Sequence, residues 1–245
     1  MDYCDGGNVK ELYRAAQWGS KGGKGSVMSE GCISSLMYQV AEALNFMHSQ
    51  HLIHRDIKPS SLLVSSSGLV SVTNLGNLRK IAKTTGQAAS VVGSTCYMSP
   101  ERIVGVHFTN SADIWGLGLT VLECVCGGYP FEQHQHNYMA LLEHIVQSPC
   151  PVDLVEPSDL PAGLADVLRL CLDKVASKRP TAQQLLDMQF VSSGKKAQEE
   201  LANLVRALLG DAAGKGDPQM SPTGGDKSPP QNKKPGLTPL GGIPV

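Results

Sequence analysis

The run His54-Arg55-Asp56-Ile57-Lys58-Pro59-Ser60-Ser61 sets a carboxylate between a guanidinium and an ammonium. Those groups suit phosphoryl transfer to a hydroxyl. Asp56 would accept or orient the hydroxyl proton, and Lys58 would neutralise the phosphoryl group in flight. Other clusters carry less chemistry. His134, His136 and His144 lack metal-ligand spacing and read as a solvated loop. Cys124 and Cys126 fall on different faces of a helix, so neither a disulfide nor a zinc pair is expected. Trp18 to Ser26 is rich in glycine and lysine, but GxxxxGK[ST] is not satisfied, and the stretch reads as a surface insert.

A reactive loop needs elements to hold it. Between Ser29 and Ser49, Ile33, Leu36, Met37, Val40, Ala41, Leu44 and Met47 recur at helical spacing, with Ser29 as N-cap. Leu62-Leu63-Val64, a Ser66-Ser67-Gly68 turn and Leu69-Val70-Ser71-Val72 predict a β-hairpin within 60–73. Ser111–Cys126 is apolar nearly all round, which predicts a helix buried at the centre of a domain. Further helices are expected over 161–171 and 181–188. A terminal one over 195–209 has one apolar face (Leu201, Leu204, Val205, Leu208, Leu209) and is stopped by Gly210. Residues 211–245, rich in Gly, Pro, Ser and Lys, read as a disordered tail. There is no βαβ alternation and no internal repeat, so the expected class is mainly α with a small hairpin.

Composition narrows the setting. With 21 basic and 22 acidic residues in 245, the formal charge of −1 gives no electrostatic case for nucleic acid or an anionic membrane. The most apolar stretch, 114–125, is interrupted by Gly116, Gly118 and Glu123 and falls short of a membrane span. The first residues have neither a basic nor an apolar leader region, so no signal peptide is expected. Seven cysteines without framework spacing read as reduced thiols, and the expectation is a soluble cytoplasmic protein.

Taken in order, four motifs resemble the protein kinase family. HRDIKPSSLLV at 54–64 is similar to the kinase catalytic loop, and 93–102 (GSTCYMSPER) resembles the end of an activation segment. Asp113-Ile-Trp-Gly-Leu-Gly118 looks like the start of the central kinase helix, followed by Gly128-Tyr-Pro-Phe131. Cys171-Leu-Asp-Lys through Lys178-Arg-Pro180 is similar to the family's CLxxxxxxRP motif. Met1-Asp-Tyr-Cys-Asp-Gly-Gly resembles a kinase hinge, and Tyr97-Met-Ser-Pro-Glu-Arg is similar to MAP kinase kinases of the STE group. The resemblance covers 1 to about 191 and implies the helical C-terminal lobe of a kinase. The N-terminal β-lobe, with its Gly-rich loop, strand Lys and helix Glu, is expected to be absent from this chain: either the chain is a fragment or truncated gene model, or the protein lacks that cradle for ATP. The implied domains are a hinge and C-lobe over 1–194, the helix 195–210 and the tail 211–245.

The resemblance also assigns roles. Asp56 and Lys58 are the implied catalytic residues. Met1, Asp2, Cys4, Ser60 and Leu63 would contact nucleotide, Leu63 as the floor of the adenine. His54, Arg55, Glu101, Asp113 and Arg179 are structural, with Glu101 pairing Arg179. Thr84 and Ser90 resemble activation-segment phosphosites, with loop hydroxyls as the alternative reading. The implied cofactors are ATP and Mg²⁺. Yet the eighth position of the HRDxxxxN pattern is Ser61, and the DFG aspartate is replaced by Asn74 in Asn74-Leu75-Gly76. Magnesium favours hard oxygen ligands and usually one or two carboxylates, so both metal positions are degraded. The expectation is a MAP kinase kinase-like domain, of a family that phosphorylates protein serine or threonine and also tyrosine, impaired in catalysis. The alternative is a pseudokinase scaffold. Lys233-Lys234 and Leu237 to Leu240 resemble a MAP kinase docking motif, so the expected partner is a protein, a MAP kinase bound through 233–240.

Overall fold

The central element is a helix with almost no solvent-facing side. In the computed structural model, which describes residues 4–19, 28–80, 95–106, 108–134, 137–155, 160–161 and 163–214, Ser111–Cys126 is helix α4. Its side chains from Ala112 to Val125 are buried. Gly127, at φ 70°, ends it in the left-handed conformation that glycine adopts at little cost. Two glycines let neighbours approach. A Cβ on Gly116 would lie 2.9 Å from the Ile57 carbonyl, and one on Gly118 would lie 2.8 Å from the Cys171 Cβ. Gly116→Ala therefore pushes against the backbone of the 54–61 loop, and we expect a loss of about 1–3 kcal/mol, measurable by urea denaturation.

Helix α2, Glu30–Ser49, packs against α4. All seven apolar positions anticipated for it are buried, and the Ser29 side chain accepts the Cys32 N–H as its cap. Around this pair lie α1 (Val9–Gly19), α3 (Pro100–Val104), α5 (Tyr138–Gln147) and α6 (Leu164–Cys171). The series continues with α7 (Ala182–Asp187), α8 (Gln189–Ser193) and α9 (Gln198–Gly214). A capping box between Thr181 and Gln184 starts α7.

The described strands form two antiparallel pairs. β2 (Leu62–Val64) and β3 (Val70–Val72) make the anticipated hairpin, in register Leu63 to Ser71. Gln39 on α2 fixes it from below: its side chain donates to the Gly68 carbonyl at 2.9 Å and accepts the Val70 N–H at 2.8 Å. The chain before α1 lies along the other edge of β2, with Gly6 N–H to the Val64 carbonyl and Val64 N–H to the Gly7 carbonyl. β1 (Leu52–Ile53) pairs with β4 (Arg79–Lys80) and so brackets the reactive loop and hairpin at both ends.

Three expectations need correction. Helix α6 starts at Leu164 rather than 161, because Gly163 takes φ 78° at its N-cap. The helix expected over 195–209 begins at Gln198, after a short 3-10 turn at Gly194–Lys196, and does not stop at Gly210. A glycine inside an exposed helix costs only about 1 kcal/mol, and Ala212 and Ala213 propagate the helix to Gly214. The tail expectation is thereby corrected over 211–214, and 215–245 lie outside the described residues. Finally, α1 reaches Gly19, so the insert expected from Trp18 is helical over its first two residues. The apolar face of α9 is not free: Leu201 and Val205 join the main core.

Candidate active site

Asp113, at the start of α4 and 1% exposed, organises the reactive loop. Its carboxylate accepts the backbone N–H of His54 at 2.8 Å, that of Arg55 at 2.7 Å and the His48 Nε2 at 2.9 Å. Two consecutive amides pointing at one carboxylate bend the chain, and Arg55 sits at φ 73°, unusual for a side chain with a Cβ. His54 continues the chain of bonds. Its Nε2 donates to the Thr73 carbonyl at 2.7 Å, so Nδ1 is the nitrogen that accepts the Asp56 N–H at 3.3 Å. Through one imidazole the loop is tied to the end of the hairpin.

Asp56 is thereby held with its side chain almost buried. Its Oδ2 meets the Lys58 Nζ at 3.0 Å. Its Oδ1 is buried and has no hydrogen-bond partner among the described residues. Leaving such an acceptor unmatched costs free energy. The loop also leans on α3, where the Arg102 guanidinium donates to the Arg55 carbonyl at 2.8 Å and both arginines lie over the Phe108 ring.

The two altered positions touch. The Asn74 side-chain amide donates to the Ser61 Oγ at 3.0 Å, with Ser61 fully buried and Asn74 left-handed at φ 64°. Asparagine tolerates that conformation better than most residues. The donor set does not suit Mg²⁺. Asn74 and Ser61 are neutral and joined to each other by that bond, and Asp56 has one oxygen committed to Lys58. No group of three metal-ligating side chains occurs among the described residues.

The remaining assignments divide clearly. Leu63 is half-buried at the middle of β2, and Cys4 lies against the same hairpin, its Sγ 3.9 Å from the Ser71 Oγ. Ser60 is exposed. Met1, Asp2, Thr84 and Ser90 lie outside the described residues. Glu101 and Arg179 form the buried pair in full: two parallel bonds at 2.8 Å, with the guanidinium also bonding the Ser111 and Asp173 carbonyls and lying over Trp115. Burial alone would raise the Glu101 carboxyl pKa, but the bonds and charge of Arg179 outweigh it and leave it below its ordinary value. A depressed carboxylate stabilises the fold above its unfolded pKa and loses that contribution as pH falls through the folded one. Glu101→Gln should therefore show a flatter decline of Tm than wild type between about pH 5 and pH 3, read by scanning calorimetry.

One cluster was not anticipated. Glu123, buried on α4, accepts the hydroxyls of Tyr13 from α1 and Tyr97 from the 3-10 turn Thr95–Tyr97, each at 2.5 Å. Burial and that carboxylate raise both phenol pKa values. The available signal was a charged residue at the sole acidic position in the second half of an otherwise apolar helix.

A deeply anchored Asp–Lys loop on α4, a hairpin beside it and a buried Glu–Arg tie behind it define a protein kinase fold, and the match is explicit in sequence: the protein kinase domain family matches residues 1–191. The chain belongs to the protein kinase family. Within it, the chain is similar to mitogen-activated protein kinase kinases. It is 34% identical over 203 residues to mitogen-activated protein kinase kinase 2 of Arabidopsis thaliana, covering 78% of this chain and 52% of that protein. It is 30% identical to mitogen-activated protein kinase kinase 3 of the same plant, over 85% of this chain and 38% of the relative. It is also 30% identical to the MAP kinase kinase skh1/pek1 of Schizosaccharomyces pombe, over 86% and 57%. The chain thus spans about half the length of these relatives, or less. No described helix is long and apolar enough to cross a membrane.

Proposed function

We propose that the described unit is the large lobe of a MAP kinase kinase-like protein kinase whose family reaction moves the γ-phosphoryl of ATP to a protein serine or threonine hydroxyl, with tyrosine as a further acceptor, and that this transfer is impaired here. The observation that carries the reading is the contrast within one loop. Asp56 has a carboxylate oxygen without a hydrogen-bond partner among the described residues, beside Lys58, while the neighbouring Ser61 and Asn74 are neutral and hydrogen-bonded to each other. In this reading Asp56 Oδ1 holds the hydroxyl and takes up its proton, and Lys58 counters charge at the phosphoryl group. Leu63 supports the base of ATP, the phosphoryl donor. No step is drawn through a magnesium ion, since the donor set does not suit one.

The second reading, a scaffold without catalysis, is favoured by the completeness of the structural ties at Asp113 and Glu101–Arg179 next to the altered metal positions. Its partner would be a MAP kinase engaged through 233–240, a segment outside the described residues. Cytoplasmic residence fits either reading. The experiment is phosphoryl transfer from labelled ATP to a MAP kinase by the full-length protein, wild type against Ser61→Asn/Asn74→Asp. The kinase reading expects the double variant to exceed wild type by about a hundredfold, the scale of one electrostatic stabiliser of the transition state, and Asp56→Asn to abolish the gain. A double variant as inactive as wild type supports the scaffold.

A further inference from the structure

Helix α9 backs the strands that carry two of the named nucleotide positions. Leu63 and Ser71 are paired in register, so their side chains share one face of the hairpin, and the Cys4 Sγ lies 3.9 Å from the Ser71 Oγ. All three residues are half-buried. Leu62 and Val64 alternate to the opposite face and are fully buried. Val64 is bonded through its carbonyl to the Gly6 N–H and through its N–H to the Gly7 carbonyl. A Cβ on Gly6 would lie 2.7 Å from the Val205 Cγ1 of α9 and 2.7 Å from the Val64 carbonyl. Segment, strand and helix are therefore as close as bare backbone permits.

The same helix grips the hairpin turn. The Gln198 side-chain amide donates to the Ser67 carbonyl at 3.0 Å, and the Arg206 guanidinium reaches the Ser66 carbonyl at 3.4 Å. Gly68 leaves no slack: a Cβ there would lie 2.4 Å from the Gln198 carbonyl and 2.9 Å from the Ala202 nitrogen. The Asp5 carboxylate accepts the Ser66 N–H at 2.7 Å and so joins segment to turn. At the start of α9, Glu200 accepts the Ser29 hydroxyl at 3.0 Å, which pins the helix to α2. All of α9 lies beyond residue 191, where the match to the kinase family ends. We propose that α9 is a positioning element of the adenine site, with Val205 and Gln198 holding the 4–8 segment and the 66–68 turn at the spacing at which Cys4 and Leu63 meet the base. The inference rests on the reading of those two residues as nucleotide contacts, and adds to the site a helix outside the four kinase-like motifs.

The test is calorimetric titration of ATP and of GTP into the full-length protein without Mg²⁺, beside hydrogen exchange of the backbone amides. Val205→Ala/Gln198→Ala should weaken ATP about fivefold or more while GTP changes by less than about twofold, since slack beneath the floor removes its preset fit to adenine. Exchange should quicken at Gly6, Val64 and Gly68, whose amides bond within the segment, strand and turn. Leu185→Ala, at a buried position on α7, is the control for lost stability alone and should leave both affinities as in wild type. Gln198→Ala by itself, at an exposed position where truncation costs little stability, should weaken ATP by about twofold. An equal loss for both nucleotides, a loss matched by Leu185→Ala, or faster exchange with ATP affinity unchanged each overturns the positioning role, while the nucleotide reading stands because wild type binds ATP. Wild type that binds no ATP overturns the nucleotide reading, and the proposal with it.

Discussion

Arg179→Ala is expected to lower the stability of the chain by about 3–5 kcal/mol, the cost of stranding a buried charge when its partner is removed. The guanidinium is buried and binds both Glu101 oxygens at 2.8 Å as well as two carbonyls, from Ser111 and Asp173. Removing it leaves four acceptors without their donor and uncovers one face of Trp115. A domain of this size has about 5–15 kcal/mol in total, so the variant should be largely unfolded at a few molar urea, where wild type is still folded. Arg179→Lys keeps the charge but lacks the planar fork that reaches all four acceptors, and should recover less than half of the loss. A urea midpoint for Arg179→Ala within experimental error of wild type would show that the pair is not the tie described.

Asp113→Asn is the second large effect, and it separates fold from site. The asparagine is nearly the same size, but one carboxylate oxygen becomes an amide NH₂, a donor facing a donor. At least one of the His54 and Arg55 amides or the His48 ring then loses its acceptor. Each buried group left unmatched costs about 1–3 kcal/mol. Because Asp113 sets the bend that presents Asp56, the phosphoryl transfer expected of Ser61→Asn/Asn74→Asp should fall by at least about tenfold when Asp113→Asn is added, as misplaced catalytic groups do. Urea melts and transfer assays on the triple variant measure both. A triple variant as active as the double would place the anchor elsewhere.

Much of this was legible in the sequence because it is local. Ser29 caps α2 through its own side chain, the 3-and-4 spacing of Ile33 to Met47 became buried surface, and the Ser66 to Gly68 turn set the hairpin register. The α1 helix also has a readable face in Val9, Leu12, Tyr13 and Ala16, although the hinge-like residues before it and the glycine-rich stretch after it obscure its ends. Gly210 does not stop α9, since an exposed glycine between good helix formers only weakens a helix. What could not be read were contacts across long separations. The pairing of β1 with β4, the grip of Gln39 on the hairpin and the convergence of Tyr13 and Tyr97 on Glu123 follow from packing, not spacing. At the site, Asp56, Lys58, Ser61 and Asn74 were named from their positions, but the bond between Ser61 and Asn74 was visible only in three dimensions.

That bond carries the central claim, that the altered positions form a neutral, hydrogen-bonded pair in place of a cation site. The direct measurement is calorimetric titration of ATP into the full-length protein, with Mg²⁺ and with EDTA, for wild type and Asn74→Asp. Aspartate tolerates the left-handed backbone of position 74 nearly as well as asparagine, so the substitution changes charge with little strain. Mg²⁺ is expected to alter the wild-type affinity by less than about twofold and to strengthen ATP binding to Asn74→Asp by about tenfold or more, as a carboxylate ligand supplies what the neutral pair lacks. Wild-type ATP binding that appears only with Mg²⁺, and is unchanged in Asn74→Asp, would contradict that claim.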